Sequence, residues 1–188
     1  MTTYVNPERL WFTSDTHFFH TNIIRYENRR YANVQKMNEH YVRLWNQYVE
    51  PGDTVYHLGD FALAPKPLLI EIKNQLNGKI HLIMGNHDRF TKRFYSGHFE
   101  SVNQIKKINV LIDDGEEVRF ALCHYPMYSW PSKSKGSYHL FGHVHSRYVQ
   151  IPNRPYTLNV GWDIHKRPIS AAQIATFMYR AEVENSQA

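Results

Sequence analysis

Apolar residues follow two rhythms along the first half of the chain. Residues 9–14 (RLWFTS), 54–58 (TVYHL) and 79–84 (KIHLIM) are short, nearly continuous apolar runs. Runs of that length, bounded by turn residues, predict strands buried on both faces. Between them the period changes. Met37, Tyr41, Leu44, Trp45 and Tyr48 recur at helical spacing within 35–49, and Pro51-Gly52 ends that helix. Pro67 opens a second helix, with Leu68, Leu69, Ile72 and Leu76 as its buried face and Asn77-Gly78 as its end. This β-α-β-α-β order predicts a parallel sheet with right-handed crossovers.

The second half reads differently. Residues 106–112, 118–124, 138–142 and 156–160 are short β-like runs joined by turns, with Asp113-Asp114-Gly115 suited to a hairpin. A last helix is expected from near Ser170, packing through Ala171, Ile174 and Met178, and the polar tail after Glu182 is expected to fray. No repeat, linker or low-complexity stretch interrupts the chain, so the expectation is one α/β domain over 1–188.

Composition narrows the classes. At 188 residues, 42% hydrophobic and 21% charged, the chain can bury a sizeable core. The net charge of +5 favours anionic partners such as phosphates, but no long Lys/Arg run marks nucleic-acid binding. Cys123 is the only cysteine, which excludes an intramolecular disulfide. No apolar run is long enough to span a bilayer, and the opening residues lack a signal peptide's basic flank and apolar core. A cytoplasmic protein is therefore expected, with no membrane and no obligate protein partner. The oddity is histidine, present 12 times.

Many of those histidines stand where apolar runs stop. The five runs that end in polar chemistry deliver Asp15 and His17, Asp60, Asn86 and His87, His124, and His143 and His145. In parallel sheets the chemistry collects at the carboxyl ends of strands. Carboxylates and imidazoles ligate zinc, manganese, iron or nickel. In Asp15-x-His17 and His143-x-His145 both side chains share a face if the backbone stays extended. A single such pair is weak evidence. Five motifs in order, each closing a run, point to a metal centre.

At this point the sequence resembles the calcineurin-like metallophosphoesterase superfamily, and within it a compact bacterial and phage branch. The matching residues are DTH (15–17), GDF (59–61), GNHD (85–88), CHYP (123–126) and GHVH (142–145), over positions 10–165. The resemblance implies a four-layer α/β/β/α sandwich with two divalent metals at the strand ends. Asp15, His17 and His145 would hold one metal, and Asn86, His124 and His143 the other, with Asp60 bridging both. A metal-activated hydroxide would attack a phosphoester. His87 would protonate the leaving oxygen and Asp88 would orient that imidazole. The activity implied is a phosphodiesterase on a small or nucleotide-like substrate. A phosphomonoesterase, a nuclease and a non-catalytic protein-interaction scaffold are the alternatives.

The remaining chemistry-bearing residues are less defined. Phe61 to Pro65 replaces the Asp-Arg-Gly extension of protein Ser/Thr phosphatases, so that subgroup is not expected. His57 and His81 lie inside runs and read as sheet or core residues. His20 either borders the site or packs within its loop. Among Arg25, Arg29 and Arg30, Arg29 is the choice for gripping a substrate phosphate, against a solvated basic face. In the loop 128–139, Trp130, Lys133 and Lys135 either stack on a base and meet phosphates or form a plain surface loop.

Overall fold

The computed structural model describes residues 6–111, 115, 117–147 and 156–186, without the side chains from 179 onward. In chain order the elements are β1 (Leu10–Thr13), α1 (Thr21–Tyr26), α2 (Val34–Tyr48), β2 (Thr54–His57), α3 (Lys66–Gln75), β3 (Lys79–Ile83) and α4 (Lys92–Ser96). Then come β4 (Ser101–Asn103), β5 (Ile105–Leu111), β6 (Glu117–Cys123), β7 (Tyr138–Phe141), β8 (Thr157–Asn159), α5 (Trp162–His165), β9 (Ile169–Ser170) and α6 (Ala171–Ser186). Two sheets result, ordered β4-β3-β2-β1-β9 and β5-β6-β7-β8, and helices flank them.

The expected parallel unit is present: β1, β2 and β3 pair in parallel, with Leu10 opposite Thr54 and Thr54 opposite Lys79. Each strand buries both faces, which explains its unbroken apolar run. Trp11, Val55, Ile80 and Leu82 join one cluster with Met37, Tyr41 and Trp45 of α2 and Leu69 and Ile72 of α3. Leu10, Phe12, Tyr56 and Ile83 point the other way, into a second cluster with Phe120, Leu122 and Leu140 of the second sheet. The two-sheet core lies between those faces.

Local chemistry sets the helix ends. Asn33 caps α2 by accepting the Lys36 N–H at 2.9 Å, and Val49 closes it. Pro67 does lie in the first turn of α3, one residue after Lys66 starts it. Leu68 does not belong to the buried face. It is turned about 100° from Leu69 by the helical period and stands exposed. The short elements α1, α4, α5, β4 and β9 escaped the periodicity, being too brief to show one. The hairpin residues Asp113 and Asp114 lie outside the described residues. The last helix, α6, continues to Ser186.

Candidate metal centre

Each expected ligand stands just past the carboxyl end of its strand. Asp15 and His17 follow β1, Asp60 follows β2, Asn86 follows β3, His124 follows β6, and His143 and His145 follow β7. The pairs converge in a way the extended-backbone argument did not foresee. Asp15, His17, Asp60, His143 and His145 all have positive φ, between 50° and 69°. For residues with a Cβ that conformation costs on the order of 1–3 kcal/mol each. The left-handed turns curl the chain back over the sheet ends, so that alternate side chains reach one volume. Such strain concentrates where side chains must be aimed.

Two glycines make room for the carboxylates. A Cβ on Gly85 would collide with Asp60 Oδ1, and one on Gly142 would collide with Ser14 Oγ and Asp15 Oδ2. The site therefore needs bare backbone at these two positions.

Several polar atoms buried here lack hydrogen-bond partners. Asp60 Oδ2 lies 3.5 Å from His17 Nε2 and 3.5 Å from His124 Nε2. Asp15 Oδ1 is 3.9 Å from His17 Nε2 and 4.0 Å from His145 Nε2. Hydrogen bonds on the far side of the rings fix the tautomers of His124 and His145. His124 Nδ1 lies 2.7 Å from the Leu58 carbonyl, which can only accept, so the proton is there and Nε2 keeps its lone pair. His145 Nδ1 donates to Asp163 at 2.8 Å, leaving its Nε2 lone pair facing Asp15 as well. Asp15 Oδ1 and both His17 ring nitrogens are buried with no hydrogen-bond partner. Carboxylate and imidazole atoms left without hydrogen-bond partners, brought this close in a dry site, fit a cation. Asp15-His17-His145 and Asp15-Asp60-His124 each cluster tightly enough to hold one.

Burial pushes the Asp15 carboxyl up to about 7, partly offset by His145 and the Ser14 hydroxyl. Burial drives His17 well below its ordinary value, and His124 and His143 below theirs. Burial thus opposes bare negative charge on Asp15 and imidazolium on His17, His124 and His143, whereas at His145 burial is outweighed by the Asp163 hydrogen bond and the Asp15 charge, which hold it above its ordinary value.

Asn86 Oδ1 is 3.1 Å from His124 Nε2, and the His143 ring lies 5.0 Å from that of His124. His87 sits at the half-exposed rim. Its N–H donates to Asp60 Oδ1 at 2.8 Å, its Nδ1 has no partner, and its ring is 5.2 Å from His17. His20 borders the same space, 5.3 Å from His17 and 5.9 Å from His87.

Three sequence readings need correction. Asp88 does not touch the His87 imidazole. Its two oxygens accept the N–H groups of Gly85, Asp60 and Phe61 at 2.8, 2.9 and 3.1 Å, so it ties the GNHD turn to the end of β2. Arg29 neither grips phosphate nor forms a solvated face. It is buried, with Nε and Nη2 forked on Asp163 and Nη1 and Nη2 on the carbonyls of Thr16 and Asp15. Trp130 is also buried, stacked on His139 and donating to the Ser137 carbonyl, while Lys133 lies over Trp130 and Tyr128. The exposed ring beside the centre is Tyr125, 4.7 Å from His143.

His57 and His81 are sheet residues as expected, bonded to Thr16 Oγ1 and Ser101 Oγ. Sequence reasoning missed Asp163 and Asn159. Asp163 holds His145 Nδ1, and Asn159 donates to the His145 carbonyl at 3.0 Å. Both follow or end β8, a strand end that carried no histidine. Glu27, His145 and Asp163 also cluster, but both Asp163 oxygens already accept from Arg29 and His145.

Comparison with known proteins places this chain among hydrolases of phosphoester bonds, in a family that is generally dependent on divalent metals. Over residues 9–181 the sequence matches the calcineurin-like phosphoesterase superfamily domain, and the chain belongs to that superfamily. An uncharacterized protein of Methanocaldococcus jannaschii, MJ1445, is 31% identical over 95% of this chain and 96% of its own length. The Gene 66 protein of Mycobacterium phage D29 is 27% identical over 82% of this chain and 87% of its own. The solved structure of AQ665 from Aquifex aeolicus, a protein of unknown function, superposes with a TM-score of 0.69 at 26% identity, covering 89% of this chain and 97% of that one. The structure of an archaeal phosphodiesterase gives 0.45 at 22% identity over 81% of each chain, too slight a likeness to carry an argument. Among the described residues no helix is long and apolar enough to cross a membrane.

Proposed function

We propose that the protein is a dinuclear metal-dependent phosphohydrolase, a phosphodiesterase acting on a small or nucleotide-like substrate. The observation that carries this reading is Asp60 Oδ2, placed 3.5 Å from imidazole nitrogens contributed by both sheets, His17 after β1 and His124 after β6. A carboxylate in that place suits a bridge between two cations. Asp15, His17 and His145 would hold one, and Asn86, His124 and His143 the other. When bound, two such ions supply positive charge for the phosphoryl oxygens and a water that ionises near neutral pH. Manganese, zinc, iron and nickel all suit these donors, so the ligands alone do not select the ion.

The chain's own groups do the rest. His87 stands at the rim with its backbone pinned to Asp60 and its ring unheld, where it can donate a proton to a departing oxygen. His20 shares that rim and would contact the substrate. Arg29, fully engaged with Asp163 and two carbonyls, offers no fork for a terminal phosphate dianion, which supports a diester over a monoester. The exposed Tyr125 ring beside His143 supports a substrate with an aromatic portion such as a nucleobase.

The test is metal content joined to a substrate panel. Reconstituted protein should carry two divalent ions by elemental analysis, and chelation should abolish hydrolysis of an aryl phosphodiester reversibly. Asp60→Ala should lose both ions. Undiminished activity in metal-free protein would refute the mechanism, and faster turnover of monoesters than diesters would reassign the substrate.

A further inference from the structure

Arg29 and Asp163 are 134 positions apart in sequence, yet their side chains form a buried two-point ion pair at 2.7 and 2.8 Å. Charge pairing alone is a poor reason for it, since burying two ions costs about as much as their attraction returns. What the pair touches is more telling. Arg29 Nη2 donates to the Asp15 carbonyl at 2.8 Å and Nη1 to the Thr16 carbonyl at 2.9 Å, gripping the strained turn that aims Asp15 and His17. Asp163 Oδ2 accepts from His145 Nδ1 at 2.8 Å, fixing that ring's tautomer and its Nε2 toward Asp15. The guanidinium is held in turn by Met37 Sδ at 3.7 Å and lies 5.5 Å from the Tyr41 ring centre.

The pair therefore contacts Asp15 and His145 of one candidate cation set and the Thr16 carbonyl next to His17, and among the described residues it makes no hydrogen bond to Asn86, His124 or His143. Asn86, His124 and His143 are held by different groups: His124 by the Leu58 carbonyl, and the His143 N–H by Asp15 Oδ2. We infer that Arg29 and Asp163 are positioning residues that preorganise Asp15, His17 and His145, and so set the affinity of one of the two cation sites without setting the other. The inference rests on the dinuclear reading above.

It is tested by titrating metal-free protein with Mn²⁺ calorimetrically, with electron paramagnetic resonance of the loaded protein as a second readout. Wild type should show two binding events and a spectrum of two coupled ions. Arg29→Met and the near-isosteric Asp163→Asn should each weaken one event by about 10- to 100-fold and leave the other in place, because partners behind ligands typically act at that level. The spectrum should become that of an isolated Mn²⁺. Asp163→Glu should recover part of the lost affinity by restoring the carboxylate. Should Arg29→Met fail to fold, Asp163→Asn alone decides, since it preserves side-chain volume. Equal weakening of both events, or of neither, overturns the inference while leaving the dinuclear reading intact. A wild type that binds no divalent ion overturns both, and a single event in wild type does the same.

Discussion

At the residue scale, His87 is the group whose role separates most cleanly from the ligands. Its backbone N–H is anchored on Asp60, its buried Nδ1 has no hydrogen-bond partner, and the residue as a whole is half-exposed at the rim. A general acid contributes about 100- to 10,000-fold when the leaving oxygen is basic, and little when it departs without a proton. His87→Ala should keep both ions. Its kcat on an alkyl or nucleoside diester should fall by that range, with a much smaller fall on a nitrophenyl diester. A leaving-group series with metal content checked in parallel measures this. A uniform loss across the series would make His87 a phosphate-positioning group, and loss of an ion would make it a ligand. The residue's backbone was legible from its place after an apolar run. Its freedom from Asp88 was not, because an adjacent carboxylate can turn either to the imidazole or to its own turn.

At the element scale, the GNHD turn after β3 is built on Asp88. Three N–H groups from two segments converge on its carboxylate, which keeps two strand ends in register. Burial raises the Asp88 carboxyl to about 7, held down by the Gly85, Phe61 and Asp60 N–H bonds. Asp88→Asn would turn an NH₂ toward N–H donors and leave buried groups unpaired, at a cost of about 1–3 kcal/mol. Thermal unfolding should shift downward. Activity should fall alike on activated and unactivated diesters, because Asp60 moves with the turn. A loss confined to basic leaving groups would return Asp88 to the role of holding His87. The strands of this region were readable because both faces are buried and their apolar runs are unbroken. The left-handed turns were not, because Asp15, His17 and His145 carry side chains that ordinarily avoid positive φ.

At the scale of the whole molecule, the loop carrying the first ligands is tied to the core through neutral histidine. His57 Nε2 lies 2.9 Å from Thr16 Oγ1, whose hydroxyl donates to the Phe61 carbonyl at 2.8 Å, so His57 is the donor in that bond. Burial and the nearby His124 lower His57 from 6.5 to about 3. The unfolded chain then binds a proton that the folded one refuses across that window. Stability is fully present above 6.5 and is lost as pH falls toward 3. Chemical denaturation at a series of pH values should show His57→Gln, uncharged throughout, with a shallower acid dependence, by up to about 1.4 kcal/mol per pH unit. Parallel slopes for wild type and variant would place the acid sensitivity elsewhere.

Much was determined by the sequence alone, for a physical reason. Strand rhythm, helix caps and the residues that follow each apolar run are local properties. They sufficed to predict β1, β2 and β3 as a parallel unit and to mark the strand ends carrying Asp15, Asp60, Asn86, His124 and His143, whose motifs carry the resemblance to the superfamily. What only the tertiary structure decided is which partner each polar group meets. Arg29 reads the same in sequence whether it faces phosphate or Asp163, and Trp130 the same whether it stacks on a base or on His139. Those choices turn on contacts between segments as far apart as 134 positions, made when β8 and α5 close against the first metal loop. No window of local sequence contains both Arg29 and Asp163.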